Sequence, residues 1–115
     1  MIHVFGSSRY RLPKKEISEM TSRIMEKFQI SPDRTLNIIF VGRRKMIQIA
    51  KTYKHEPVAL PVLSFPYLDE QTEDRLLGEV FLCYPQVVLL AAEREKRVNE
   101  MTRQLLEHGI KNLIQ

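Results

Sequence analysis

Hydrophobic residues recur along the chain at two different spacings, and these spacings predict four strands and four helices. Short runs rich in β-branched and aromatic residues predict strands at 2–5, 36–41, 62–65 and 76–84. Apolar residues at steps of three and four predict helices over 12–28 and 43–54, and two more that begin at Pro85 and Val98. The order β-α-β-α-β-β-α-α indicates an α+β fold, a mixed four-stranded sheet with flanking helices.

The third predicted strand, 62–65, has prolines on both sides. Pro57, Pro61 and Pro66 exclude a helix over 55–67. Because proline cannot donate to a ladder of strand hydrogen bonds, we expect 62–65 to be an edge strand. An edge strand is also a candidate docking site for a protein partner.

The last predicted helix carries the most distinctive candidate for chemistry. Its apolar face runs through Val98, Met101 and Leu105. The same spacing continues to His108 and Asn112, so we expect both to face inward, one turn apart. Two histidines at this spacing can hold one metal ion, but an asparagine amide is a poor zinc ligand. Residue types alone therefore favour a half-buried, hydrogen-bonded histidine over a metal ligand.

Composition is that of a soluble globular protein. The chain has 115 residues, 43% of them hydrophobic and 28% charged, which predicts a single domain over 1–115. Its one cysteine, Cys83, excludes an intrachain disulfide and fits a reducing compartment. The N-terminal sequence lacks the long apolar stretch of a signal peptide, and the longest apolar run, 87–92, is too short to span a bilayer. We expect a cytoplasmic protein with no membrane partner.

Positive charge is concentrated in residues 34–55, which contain six basic residues and no acidic one. The remainder of the chain carries twelve basic against fourteen acidic residues. This asymmetry is typical of a surface that binds a polyanion, and equally of a solvated helix face that meets acidic neighbours. Five of the cations lie on the predicted helix 43–54, whose apolar face is Met46, Ile49 and Tyr53. These candidate phosphate contacts are Arg43, Arg44, Lys45, Lys51 and Lys54.

Other enzyme signatures are sparse. The sequence has no glycine-rich phosphate loop, no GxSxG and no CxxC. Ser64 is most simply a strand serine that bonds to backbone, and Cys83 a residue of an apolar core. Glu79 is either a carboxylate at a cleft or a residue that faces solvent.

Three segments together resemble the YbeY family of bacterial rRNA maturation factors, which are described as metal-dependent, single-strand-specific endoribonucleases. "YKHEPVALPVLSFP" at 53–66 is similar to the family's Y-R-x5-T-D-V-L-S-F-P segment, and "LLGEVFL" at 76–82 to its L-G-D-I-x-I strand. "VNEMTRQLLEHGIKNLI" at 98–114 is similar to the helix that carries the metal motif H-G-x-x-H-x5-H. The resemblance covers nearly the whole chain and implies the same fold.

The metal motif is incomplete in this sequence. His108 matches the first ligand and Gly109 the glycine after it, but Asn112 stands at the second ligand position. The third would lie at about position 118, beyond Gln115. The resemblance implies zinc as the cofactor if the site is retained, and no cofactor if it is not. Divergence and C-terminal shortening are both open, and Asn112 favours divergence.

Further departures fall near the same site. Leu60 and Pro61 replace the threonine and aspartate before "VLSF", and Glu79 replaces the strand aspartate. Lys54 replaces the arginine after the tyrosine, which keeps the charge but loses the guanidinium fork.

The resemblance and these departures predict a YbeY-like rRNA maturation factor that binds rRNA or the small ribosomal subunit, with endoribonuclease activity weak or lost. No catalytic residue is assigned. One alternative is an active metal-dependent endoribonuclease with a site rebuilt around His108, to which His3 or His55 would contribute. A second alternative is a protein-interaction module on the same fold that docks a partner at 62–65.

Overall fold

Four strands and four helices follow one another in the predicted order in the computed structural model, which describes residues 1–67 and 75–115. The strands are β1 (Ile2–Phe5), β2 (Thr35–Val41), β3 (Val62–Pro66) and β4 (Leu76–Cys83). The helices are α1 (Lys14–Lys27), α2 (Arg43–Lys54), α3 (Tyr84–Glu93) and α4 (Val98–Ile114). The predicted α+β class is confirmed.

The strands form one mixed sheet in the order β1-β2-β4-β3. β1, β2 and β4 are parallel, and β3 pairs antiparallel with β4. The expectation of an edge position for β3 is confirmed, and it agrees with the proline that precedes this strand.

A β-bulge near the start of β4 depends on a glycine. Between Thr35 and Leu36 of β2 the partner on β4 moves from Leu76 to Gly78, so Leu77 is the extra residue. Gly78 has a φ of 156°, and a Cβ there would lie 2.5 Å from the carbonyl oxygen of Phe65. A larger residue would therefore clash where β3 and β4 pair.

The helices cover the two faces of the sheet unequally. α1, α3 and α4 pack on one face and form the main core with the alternate residues of β2 and β4, including Leu36, Ile38, Val80 and Leu82. α2 packs on the other face, where Met46, Ile49, Leu63 and Cys83 form a smaller core. This second core lies on the β3 side of the sheet, and Phe5 on β1 stays 50% exposed. Within the described residues no helix has the length and apolar character needed to cross a membrane.

Candidate functional site

The positions of His108 and Asn112 differ from the sequence expectation. Both side chains are exposed, so the prediction that they face inward is wrong. The buried stripe of α4 is centred further around the helix than the predicted face, because Leu106, Ile110 and Leu113 also pack into the core. The two polar residues consequently lie on the flank of the stripe. The buried residues of α4 are Met101, Thr102, Leu105, Leu106, Gly109, Ile110 and Leu113.

This flank of α4 forms one wall of a cavity of about 460 Å³ at the outer edge of the sheet. The last turn of α2 and the segment before β3 supply other walls, and β3 itself contributes the floor. We call this cavity the β3 cleft; its lining residues are Lys54, Leu60, Val62, Leu63, Ser64, His108 and Asn112.

Gly109 allows α4 to approach β3 closely. A Cβ at this position would lie 2.8 Å from Cγ1 of Val80 and 3.1 Å from both Oγ of Ser64 and Cγ2 of Val62. The Ser64 hydroxyl donates a hydrogen bond to the Gly109 carbonyl oxygen at 2.8 Å. The expectation of a strand serine bonded to backbone is confirmed, and this close contact brings His108 alongside β3.

The two polar residues of α4 contact each other across one helical turn. Nδ2 of Asn112 lies 3.3 Å from Nε2 of His108. When the amide donates this hydrogen bond, Nε2 is the acceptor and the neutral imidazole carries its proton on Nδ1. The hydrogen-bonded state expected for His108 is present, although the side chain is exposed rather than half-buried.

The described residues do not fit a catalytic zinc ion. Such a site takes three protein ligands from histidine, cysteine and carboxylates. The β3 cleft offers one histidine, an asparagine amide, a serine already bonded to backbone and the cation of Lys54. Across residues 1–67 and 75–115, no three His, Cys, Asp or Glu side chains come together in a way that could hold a metal ion.

The other histidines are not lining residues of the β3 cleft. His3 lies on β1, at the opposite edge of the sheet from β3. His55 follows α2 in the left-handed conformation, with a φ of 58°, and its side chain is exposed. Neither is brought to His108 as a rebuilt site would require.

The five cations of α2 fall into two groups on the helix surface. Arg44, Lys51 and Lys54 follow the spacing of one helical flank, and Lys54 at its end lines the β3 cleft. At the other end of the helix, Nη1 of Arg43 donates to Oε1 of Gln86 at 2.8 Å. Arg44, at the start of its flank, also belongs to this end of the helix, because it lines a second cavity of about 640 Å³ together with Arg9, Arg43 and Lys45.

No cation of α2 makes an ion pair with a described acidic side chain. The alternative prediction is a helix face whose charges meet acidic neighbours. No ion pair in the described parts of the chain supports it. All five side chains are exposed. Their charge is available to a ligand in solvent.

Cys83 and Glu79 lie away from the β3 cleft. Cys83 is fully buried, and burial raises the pKa of its thiol, as expected for an inert core residue. Glu79 pairs with Phe65 across the strands, on the sheet face that α2 covers. This half-buried carboxylate is therefore on the face opposite to α4.

Tyr53 is a residue whose position the sequence did not predict. It shares a helix face with Met46 and Ile49, which are 0% and 8% exposed, yet its own exposure is 64%. Its ring lies over Phe65 of β3, with ring centroids 4.9 Å apart. Tyr53 stays exposed because the last turn of α2 lies over β3, the edge strand of the sheet.

Comparison with known sequences identifies close counterparts along almost the whole chain. A protein of Renibacterium salmoninarum named Endoribonuclease YbeY is 31% identical over 122 residues, which cover 98% of this chain and 76% of that protein. A protein of the same name from Ureaplasma parvum is 27% identical over 111 residues, covering 96% of this chain and 70% of that protein. A third, from Pseudomonas putida, is 34% identical over 88 residues, which cover 75% of this chain and 56% of that protein.

A solved structure supports the fold. The solution structure of TM1509 from Thermotoga maritima superposes with a TM-score of 0.65 at 21% sequence identity. The superposition covers 100% of this chain and 73% of that one. The sequence pattern of the family described as Endoribonuclease YbeY matches residues 6–114. This chain therefore belongs to the YbeY family.

Proposed function

We propose that this YbeY-family chain is an rRNA maturation factor that binds rRNA or the small ribosomal subunit, and that its metal-dependent cleavage is weak or lost. The observation that carries the proposal is the lining of the β3 cleft. His108 stands there with Asn112 and the cation of Lys54, where a metal site needs further histidine, thiolate or carboxylate ligands. A lysine in such a cleft favours a phosphate over a metal cation.

The flank of α2 supports binding to the RNA backbone. Arg44 and Lys54 are ten residues apart on this helix, which corresponds to about 15 Å along its axis. Lys51 lies between them on the same flank. A row of exposed cations that ends at a cleft is the arrangement expected of a groove that follows a single-stranded backbone. Arg43 and Lys45 extend the positive surface at the start of the helix.

Loss of cleavage follows from what a metal-dependent hydrolase requires. The bound ion activates a water molecule and stabilises the charge that develops on the phosphate. A lone imidazole whose Nε2 accepts a hydrogen bond from Asn112 is not a zinc-binding set. We derive no catalytic step for this chain, and binding needs none, because phosphate contacts require only cations and backbone donors.

Binding is tested by the salt dependence of affinity for a single-stranded oligonucleotide with an rRNA sequence. Each phosphate neutralised on a single strand contributes about −0.7 to the slope of log affinity against log salt concentration. We expect Lys51→Ala and Lys54→Ala each to weaken binding and to reduce the slope by about that amount. Lys15→Ala is the matched control, because Lys15 is an exposed lysine on α1, a helix on the opposite face of the sheet.

Two results would contradict the binding proposal. One is the absence of measurable affinity at low salt. The other is a reduced slope in Lys15→Ala equal to that in the α2 variants, because the charge effect would then not belong to α2. Persistent binding to a protein partner without RNA would instead favour the interaction module at 62–65.

Cleavage is tested separately by metal content and by RNA integrity. We expect the purified chain to hold less than stoichiometric transition metal, and the oligonucleotide to stay intact with and without added zinc. Stoichiometric metal that His108→Ala removes, together with cleavage that the same variant abolishes, would establish a rebuilt active site and refute this part of the proposal.

A further inference from the structure

The exposure of Tyr53 is unusual for a large side chain on the apolar face of a helix. Tyr53 is 64% exposed, although the two residues that precede it on this face are buried in the second core. The protein thus covers only part of the ring. A Tyr that keeps a large free surface and a fixed position is suited to contact a ligand.

The ring of Tyr53 is held in place from one side by a series of aromatic contacts. It meets Phe65 at 4.9 Å between ring centroids with an interplanar angle of 68°. Phe65 meets Phe81 of β4 at 5.6 Å and 86° in the same edge-to-face manner. Both phenylalanines pack against the core under α2. The sheet therefore holds the ring of Tyr53 from one side. The Tyr53 side chain consequently loses little conformational entropy when a ligand contacts it.

A positive charge stands next to Tyr53 in the last turn of α2. Lys54 follows Tyr53 in the sequence, about 100° further around the helix, and lines the β3 cleft. An exposed aromatic ring beside a cation matches single-stranded nucleic acid, in which bases alternate with phosphates. An apolar protein surface would satisfy the ring but not the lysine.

We propose that Tyr53 is a base-stacking residue, on which one unpaired base of the bound RNA lies while Lys54 contacts a neighbouring phosphate. This inference rests on the proposed RNA-binding function and adds to it a contact with a base. The contact requires an unpaired base, because a base within a duplex cannot lie on a side chain without leaving its stack.

The test compares two oligonucleotides of equal length and charge, one with normal bases and one with abasic residues. Loss of one base–aromatic stack weakens binding by about fivefold or more. We expect Tyr53→Leu to lower affinity for the normal oligonucleotide by at least this factor and to leave affinity for the abasic one unchanged. The salt slope should stay that of the wild type, because Tyr53 neutralises no phosphate. Tyr53→Phe keeps the ring and should retain affinity.

Phe5→Leu is the matched control, because Phe5 is a 50% exposed aromatic residue on β1 at the opposite edge of the sheet. It should bind both oligonucleotides as the wild type does. Circular dichroism and a urea transition would verify that Tyr53→Leu keeps the native fold, as the exposure of the ring predicts.

The outcomes separate this inference from the proposed function. If the wild type binds RNA with a slope that Lys51→Ala and Lys54→Ala reduce, and Tyr53→Leu changes nothing, the base-stacking role is wrong and the proposed function stands. Equal losses of affinity for the normal and abasic oligonucleotides would also overturn the stacking role. If the wild type binds neither oligonucleotide, both proposals fail together.

Discussion

Replacement of Gly109 by alanine tests whether the close approach of α4 to the sheet builds the β3 cleft. The new Cβ would lie 2.8 Å from Cγ1 of Val80, shorter than a normal carbon contact. Val80 is completely buried and β-branched, so it has little freedom to move. The helix would have to shift away from β3 and β4, and the hydrogen bond from Ser64 would lengthen.

The expected magnitude is the balance of two opposing effects. Alanine is favoured over glycine in a helix interior by about 1 kcal/mol. Overpacking of a filled core costs about 1–3 kcal/mol, and a weakened hydrogen bond costs about 1 kcal/mol more. We therefore expect Gly109→Ala to lower the free energy of unfolding by about 1–3 kcal/mol. RNA affinity should fall as well if the β3 cleft binds RNA, because His108 and Asn112 move with the helix.

Urea denaturation of four proteins measures this effect: the wild type, Gly109→Ala, Val80→Ala and the double variant. Removal of the Val80 methyl groups opens the space that the new Cβ needs, so Gly109→Ala should be less destabilising in the Val80→Ala background by about 1 kcal/mol or more. A Gly109→Ala protein more stable than the wild type would show that the core accepts the new Cβ without overpacking. Strictly additive effects of the two changes would show that the contact with Val80 is not the cause.

Two further predictions concern contacts around α4. Lys27 donates a hydrogen bond to Glu107 and thereby lowers the pKa of this carboxyl. The stabilising contribution of the ionised Glu107 is therefore present above the unfolded pKa of about 4.3, and it is lost as pH falls through the lower folded value. Glu107→Gln should therefore cost about 0.2–1 kcal/mol at pH 7 in a urea titration, and a difference from the wild type that persists unchanged at pH 2 would contradict this assignment. Ser64→Ala removes the 2.8 Å hydrogen bond to Gly109 and should lower the free energy of unfolding by about 1 kcal/mol with RNA affinity retained; loss of binding in a folded Ser64→Ala protein would show that the hydroxyl contacts the ligand.

Local patterns in the sequence were sufficient to predict the elements of the fold and the edge position of β3. The β-branched and aromatic content of β2 and the proline beside β3 are local properties of the sequence. The buried face of α4 was harder to predict from the sequence. Leu106, Ile110 and Leu113 compete with the predicted face, and only packing against β3 and β4 decides between the two.

The β3 cleft could not be predicted from spacing, because three separate segments build it. Lys54 ends α2, Ser64 lies on β3 and His108 lies on α4, and their proximity depends on how both helices pack at the edge of the sheet. The same holds for the exposure of Tyr53, which shares a helix face with the buried Met46 and Ile49. Its exposure follows from the place of β3 in the strand order, which is a long-range property.

One assay on one sample measures whether this chain binds RNA through α2 without metal-dependent cleavage. A single-stranded oligonucleotide of rRNA sequence is incubated with the protein at low salt, with added zinc or with a chelator, and bound and intact RNA are measured together. We expect equal binding in both conditions, fully intact RNA, and weaker binding for Lys54→Ala. RNA cut only in the presence of zinc, with cutting abolished by His108→Ala, would contradict this expectation.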